Sequence, residues 1–180
     1  NQWQAVVGGA GSVALEMRLR AVGGDPHWVR RHLTLARDPE RGDDFVVVIL
    51  ENLDEVKARE QTIYRQANFD PLTGLPNRNL LRDRLLQALR REAREGGYVF
   101  VLFLDLDGFK EVNDLYGHAS GDALLIEAAQ RLRGCLRPAD TVARFGGDEF
   151  VVLIDGANGP MAAERVGHAI LEALRRPFDV

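Results

Sequence analysis

Cysteine is nearly absent. Cys135 is the only one in 180 residues, so the chain can hold neither an internal disulfide nor a cysteine-rich zinc site. It sits in an apolar helical stretch and reads as a core residue. Long apolar runs are also missing: none approaches the roughly 20 residues needed to span a bilayer as a helix, and no basic-then-apolar leader opens the chain. Positive charge is not in excess. With 23 Lys and Arg against 27 Asp and Glu, the formal net charge is −4, which argues against a nucleic-acid binder that works by neutralising phosphates. Asn1 is not an initiator methionine and Val180 follows closely on a helix, so the expectation is a fragment at both ends. Its length suffices for one good core, or for one domain plus part of another.

The first 52 residues alternate apolar and polar side chains in short stretches, at 13–19, 27–33 and 45–50. Turn-rich pieces separate them, Gly23-Gly24-Asp25-Pro26 and 38–44. That pattern predicts an antiparallel meander leading into a charged helix near Leu53-Asp54. Leu53, Val56, Ile63 and Ala67 follow a seam close to a heptad, on a segment short for a coiled coil.

From residue 70 the pattern changes to α+β. Asn77 is a candidate N-cap for a helix to about Arg94, with Leu81, Leu85 and Leu89 on one face and a solvated arginine face opposite, and Gly96-Gly97 stops it. Residues 98–104 form an apolar run of buried-strand length that ends in Asp105-Leu106-Asp107-Gly108-Phe109-Lys110. A short helix to Tyr116 follows, then a longer one capped by Ser120 with Leu125, Ala129, Leu132 and Leu136 inward. The final helix spans about Met161 to Arg175.

Between them lies Gly146-Gly147-Asp148-Glu149-Phe150, two adjacent carboxylates on a Gly-Gly turn joining strand-like runs. Alternation puts Asp105 and Asp107 on one strand face. Carboxylates from two strands can converge on a hard cation such as Mg²⁺ or Mn²⁺, and Lys110 adds a charge for phosphate.

These residues resemble the GGDEF family of diguanylate cyclases. The acidic strand end, Asn113, Gly117-His118-Ala119-Ser120-Gly121-Asp122, Arg137-Pro138-Ala139-Asp140 and the pentad occur in the family's order, after the opening sequence Asp70-Pro71-Leu72-Thr73-Gly74-Leu75-Pro76-Asn77-Arg78. The resemblance implies a ferredoxin-like βαββαβ core over residues 70–180, lacking its C-terminal strand and helix. Residues 1–52 resemble the C-terminal part of a PAS sensor domain, and 53–69 a signalling helix that pairs two chains.

The activity implied is condensation of two GTP into cyclic di-GMP and two pyrophosphates by a homodimer. Asp105, the Leu106 carbonyl and Asp148 hold divalent ions in this reading, and Glu149 is a further ion ligand or takes the proton from the attacking hydroxyl. Asn113 and Asp122 match the guanine-reading positions, with His118 beside them. Lys110 and the backbone near Gly108 and Phe109 hold phosphate, and Arg137 and Asp140 match the site where product inhibits. The alternative is an inactive GTP- or cyclic di-GMP-sensing module that regulates an attached EAL-type phosphodiesterase, which the Arg175-Arg176-Pro177 ending hints at. The implied location is cytoplasmic, with membrane tethering upstream left open. The sequence does not disclose what signal or cofactor the PAS-like part takes.

Overall fold

The computed structural model describes residues 12–157 and 159–178. The chain divides into two compact units, one ending at Ile63 and one starting at Tyr64. The first eleven residues of the segment read as sensor-like, and the last two of the segment read as cyclase-like, lie outside the described residues.

In the first unit β1 (Ser12–Arg20), β2 (Pro26–Arg37) and β3 (Asp44–Asn52) form the expected antiparallel meander in the order β1-β2-β3. Helix α1 (Asp54–Asn68) begins here. Its first turn is tied to the sheet: the Asp54 carboxylate accepts from the Trp28 amide and pairs with His27 Nδ1, each at 2.7 Å. Lys57 reaches Glu16 at 2.9 Å and lies over the Trp28 ring. Leu53 departs from the expected seam. It is buried and precedes α1, whereas Val56 and Ile63 on the helix are exposed.

The second unit carries α2 (Arg78–Glu95), β4 (Tyr98–Asp105), α3 (Phe109–Tyr116), α4 (His118–Gly134), β5 (Thr141–Gly146), β6 (Glu149–Ala157) and α5 (Pro160–Arg175). Its sheet has the order β4-β6-β5, antiparallel throughout. One face, with Phe150, Val152 and Ile154, packs on Leu125, Ala129 and Leu132 of α4 and Ile170 of α5. The other face, with Val151 and Leu153, packs on Leu81 and Leu85 of α2.

Two expectations need correction. Ala88, not Leu89, is the third inward residue of α2, because positions 81, 85 and 88 share a helix face; Leu89 is 49% exposed. Ser120 does not cap α4, which starts two residues earlier after Gly117. Gly117 adopts φ 84°, a conformation open to glycine, so one residue ends α3 and starts α4.

Asn77 caps α2 as expected, accepting from the amides of Asn79 and Leu80 at 2.9 and 3.2 Å. Arg131 fastens the far end of the unit, donating to the carbonyls of Ala173, Arg176 and Pro177 and lying over Phe178. Asn77→Ala should lower stability by about 1 kcal/mol, while Asn77→Asp should keep most of it. Urea midpoints at unchanged m-value would measure this, and equal losses in both variants would remove the capping explanation.

Candidate functional site

Strand pairing places the acidic residues. In the β4–β6 register Asp105 stands directly opposite Glu149, and cross-strand partners share a face with Cβ atoms about 5 Å apart. It is the face to which Val151 and Leu153 also belong, because Leu102 and Leu104 turn to the α4–α5 core. Asp148 is half-buried in the turn next to Glu149. Gly146 pairs with Glu149, so the hairpin loop is Gly147-Asp148, and Gly147 takes φ 50°, which a side chain would disfavour.

The carboxylates of Asp105, Asp148 and Glu149 make no hydrogen bond or ion pair among the described residues. Like charges directly opposite each other destabilise a sheet, so this arrangement suits a cation. Among the described residues no three His, Cys, Asp or Glu side chains gather as a ready metal cage. Mg²⁺ needs no such cage, since it takes one or two carboxylates and fills its shell with water and phosphate oxygens. Hard oxygen donors are what this donor set offers, and it fits the ion the sequence implies.

Beside this pair, Leu106 and Gly108 lead into α3. The Leu106 carbonyl accepts from the Phe109 amide at 3.1 Å, which leaves it a second lone pair. The Phe109 side chain packs on the core and its amide is engaged by Leu106, so the amides left for an anion are those of Gly108 and of Lys110 and Glu111 in the first turn. Asp107 is exposed at the turn. Lys110 and His118 are exposed as well, and their side chains have no partner among the described residues.

Asn113 of α3 is half-buried, and its carboxamide lies against the backbone of Gly121 in α4. The next residue, Asp122, is exposed. The helix pair thus seats an amide against the residue that precedes this carboxylate in the chain.

Arg137 and Asp140 are brought together, but unequally. The Asp140 side chain is fully covered, accepts from the Arg137 amide at 3.1 Å and contacts Arg137 Nε at 3.4 Å. It therefore holds its own turn, and the arginine, 59% exposed, is the group turned to solvent. A cavity of about 360 Å³ alongside is lined by Arg84, Arg133 and Arg137, a basic setting for an anion.

Sequence reasoning missed the Asp70–Arg144 ion pair. Asp70, in the opening turn, accepts from the Thr73 amide and hydroxyl at 2.8 and 2.7 Å and from Arg144 Nη1 at 3.1 Å. Arg144 donates from Nε to the Gly147 carbonyl at 2.8 Å, and its amide donates to the Pro76 carbonyl at 3.0 Å. One arginine therefore clamps the carboxylate-bearing turn to the opening turn. The signal was present: an acid heading a Pro-Leu-Thr-Gly turn and an arginine two residues before the pentad, 74 residues apart with nothing in the sequence to join them. Burial opposes ionisation of Asp70, but the Thr73 hydrogen bonds and the Arg144 guanidinium outweigh it and hold the carboxyl below its usual value.

Residues 67–180 match the family described as "Diguanylate cyclase, GGDEF domain". The chain is 50% identical over 114 residues to the bifunctional diguanylate cyclase/cyclic di-GMP phosphodiesterase MucR of Pseudomonas aeruginosa, covering 63% of this chain and 16% of that protein. It thus spans a small part of that curated relative. The solved GGDEF domain of TpbB from P. aeruginosa is similar at 44% identity and a TM-score of 0.61, over 62% of this chain and 65% of that one. The coiled coil and GGDEF domain of DgcB from Caulobacter crescentus, solved in complex with c-di-GMP, is similar at 26% identity and a TM-score of 0.59, over 65% and 61% of the two chains.

Because the Asp70 pKa is depressed on folding, the pair's stabilisation is fully present above the ordinary carboxylate range near 4 and is lost as pH falls through the lowered value. Asp70→Asn should cost about 2 kcal/mol at pH 7 and flatten the acid limb of stability against pH. An unchanged acid limb in urea titrations would show that the pair contributes nothing.

Proposed function

Since the chain belongs to the GGDEF family of diguanylate cyclase domains, we propose that it condenses two GTP molecules into cyclic di-GMP with release of two pyrophosphates. The observation that carries this reading is the uncompensated pairing of Asp105 with Glu149 beside Asp148. Names of relatives add weight: MucR is described as a diguanylate cyclase and phosphodiesterase, and DgcB was solved with c-di-GMP.

Each chain holds one GTP in this reading. Asn113 and Asp122 take the guanine edge, an amide and a carboxylate facing its mixed acceptors and donors. Adenine is refused because these polar groups would be left unpaired. Lys110 and the first-turn amides of α3 hold phosphate oxygens. The ribose 3′-hydroxyl of one nucleotide attacks the α-phosphorus of the other. An O–P ester forms, the α–β bridging bond breaks, and pyrophosphate leaves with its electron pair. Glu149 either accepts the hydroxyl proton or joins Asp105, Asp148 and the Leu106 carbonyl around a divalent ion. Mg²⁺ or Mn²⁺ there would supply positive charge that lowers the hydroxyl's pKa and offsets charge on the leaving pyrophosphate.

Two half-sites must meet, so two copies of the chain act together, and the exposed apolar residues Val56 and Ile63 of α1 support a helix that pairs them. The meander of β1 to β3 is read as the PAS-like part that controls this pairing, with residues 1–52, 53–69 and 70–180 as sensor, connector and catalytic segments. Dependence on GTP supports a cytoplasmic location. Among the described residues no helix is long and apolar enough to cross a membrane.

Incubation with GTP and Mg²⁺ should yield cyclic di-GMP, and Asp148→Ala should cut the rate at least about 100-fold while leaving the fold intact. GTP bound by a folded, dimeric chain without product would favour the sensing-module reading over the cyclase. Product should inhibit, and Arg137→Ala should weaken that inhibition at unchanged thermal stability. Asp140→Ala should lower stability as well, because its covered carboxylate holds the turn. Full inhibition retained in Arg137→Ala would remove the site.

A further inference from the structure

Gly121 is a glycine without a backbone reason. It lies in the first turns of α4 and is buried, and its φ is not positive. A helical glycine costs about 1 kcal/mol relative to alanine, so a different requirement must hold it there. The space around it shows one. A Cβ at this position would run into the Asn113 carboxamide oxygen and come within 2.9 Å of Cγ and 3.3 Å of Nδ2. The carboxamide is therefore seated on the bare backbone of Gly121, one residue from Asp122. No hydrogen bond commits it: among the described residues its oxygen and NH₂ group have no partner. Contact with the glycine sets the position of an amide whose donors and acceptor stay free for a ligand.

We propose that Gly121 is a positioning residue for base selectivity, acting through Asn113. Its missing side chain lets the amide sit flush between α3 and α4, against the backbone of the residue that precedes Asp122. A methyl group at 121 displaces the amide rather than the helix, because the colliding atoms are the free end of a side chain while alanine itself favours helix. Base discrimination falls and the fold stays. This inference rests on the reading of Asn113 and Asp122 as the guanine contacts.

The test is a double-mutant cycle in the full chain, reading dissociation constants for GTP and ATP by calorimetry and stability by thermal melting. Gly121→Ala should weaken GTP about tenfold, leave ATP unchanged and not lower the melting temperature. In an Asn113→Ala background the same substitution should change GTP affinity less than about twofold, because the group it displaces is gone. Any of four results would overturn the proposal. Gly121→Ala that keeps full GTP preference while Asn113→Ala loses it leaves the guanine reading standing and removes Gly121 from it. A Gly121→Ala effect that persists undiminished without the Asn113 side chain, or that comes with a melting drop of about 10 °C, assigns the glycine to helix packing. Asn113→Ala with unaltered GTP affinity removes the guanine reading itself, and the role of Gly121 with it. Gly121→Ser, bulkier by one hydroxyl, should lose at least as much GTP preference as alanine.

Discussion

The meeting of Asp105 and Glu149 depends on one register. Asp105 lies opposite Glu149 because β4 and β6 pair in phase from Phe100–Ile154 down to the hairpin. A slip of β4 by one residue would turn Asp105 toward the α4–α5 core and bring Leu102 and Leu104 out of it. The register is held by burial of the alternate side chains: Phe150, Val152 and Ile154 are fully enclosed on one face, Val151 and Leu153 on the other. A two-sided apolar strand tolerates no slip. The apolar core thus offsets the electrostatic cost of two opposed acids, a cost that a bound cation would remove.

Register alone does not place Asp148, which belongs to the turn. The turn's freedom is taken up by Arg144, which holds the Gly147 carbonyl from one side while Asp70 holds the arginine from the other. Asp70 and Arg144 side chains are only 17% and 14% exposed, so the pair is shielded from the screening that makes surface ion pairs weak. Hydrogen bonds from the Thr73 amide and hydroxyl and from Arg144 Nη1 to both carboxylate oxygens offset the partial desolvation of Asp70. Gly147 makes the hairpin possible, and Arg144 ties its carbonyl to Asp70.

Strands and helices were legible because periodicity reports burial, and both are local. The run at 98–104 is nearly the strand observed, although the expected burial holds on one face only, since Val101 and Phe103 are 40% and 75% exposed, and the Asn77 cap follows from one side chain and the two amides it can reach. The pentad's hairpin was legible for the same reason. What could not be read are features set by partners far along the chain: Asp70 with Arg144, Asn113 against Gly121, the Asp140 carboxylate turned inward. Motif order named these residues without saying which face each other. Asp140 shows the limit most sharply, since an acid in an R-x-x-D spacing looks the same in sequence whether it meets a ligand or its own turn. Leu89 shows a smaller one: three leucines at fourfold spacing drift off a face that a small alanine at 88 completes.

The end of α1 belongs to the same set of contacts as the carboxylates. Asn68 closes the helix, its carbonyl accepts from the Asn77 amide at 2.9 Å, and the Asn77 carboxamide donates to the Ala67 carbonyl at 2.9 Å. Two residues on stands Asp70, then Arg144, then the Gly147 carbonyl, and next to it Asp148. Each link is a hydrogen bond or ion pair of ordinary length, and the turn from 70 to 77 is closed on itself by Asp70 with Leu75 and by Gly74 with Asp70. A loop so bonded resists local opening. The last turn of α1 cannot then rotate without either breaking these bonds or carrying the Gly147-Asp148 turn along, and the bond from Arg144 to Asp70 is charge-assisted, the stronger kind. The geometry of the acidic site is accordingly fixed from two directions, by the sheet register at Asp105 and Glu149 and by the helix end at Asp148.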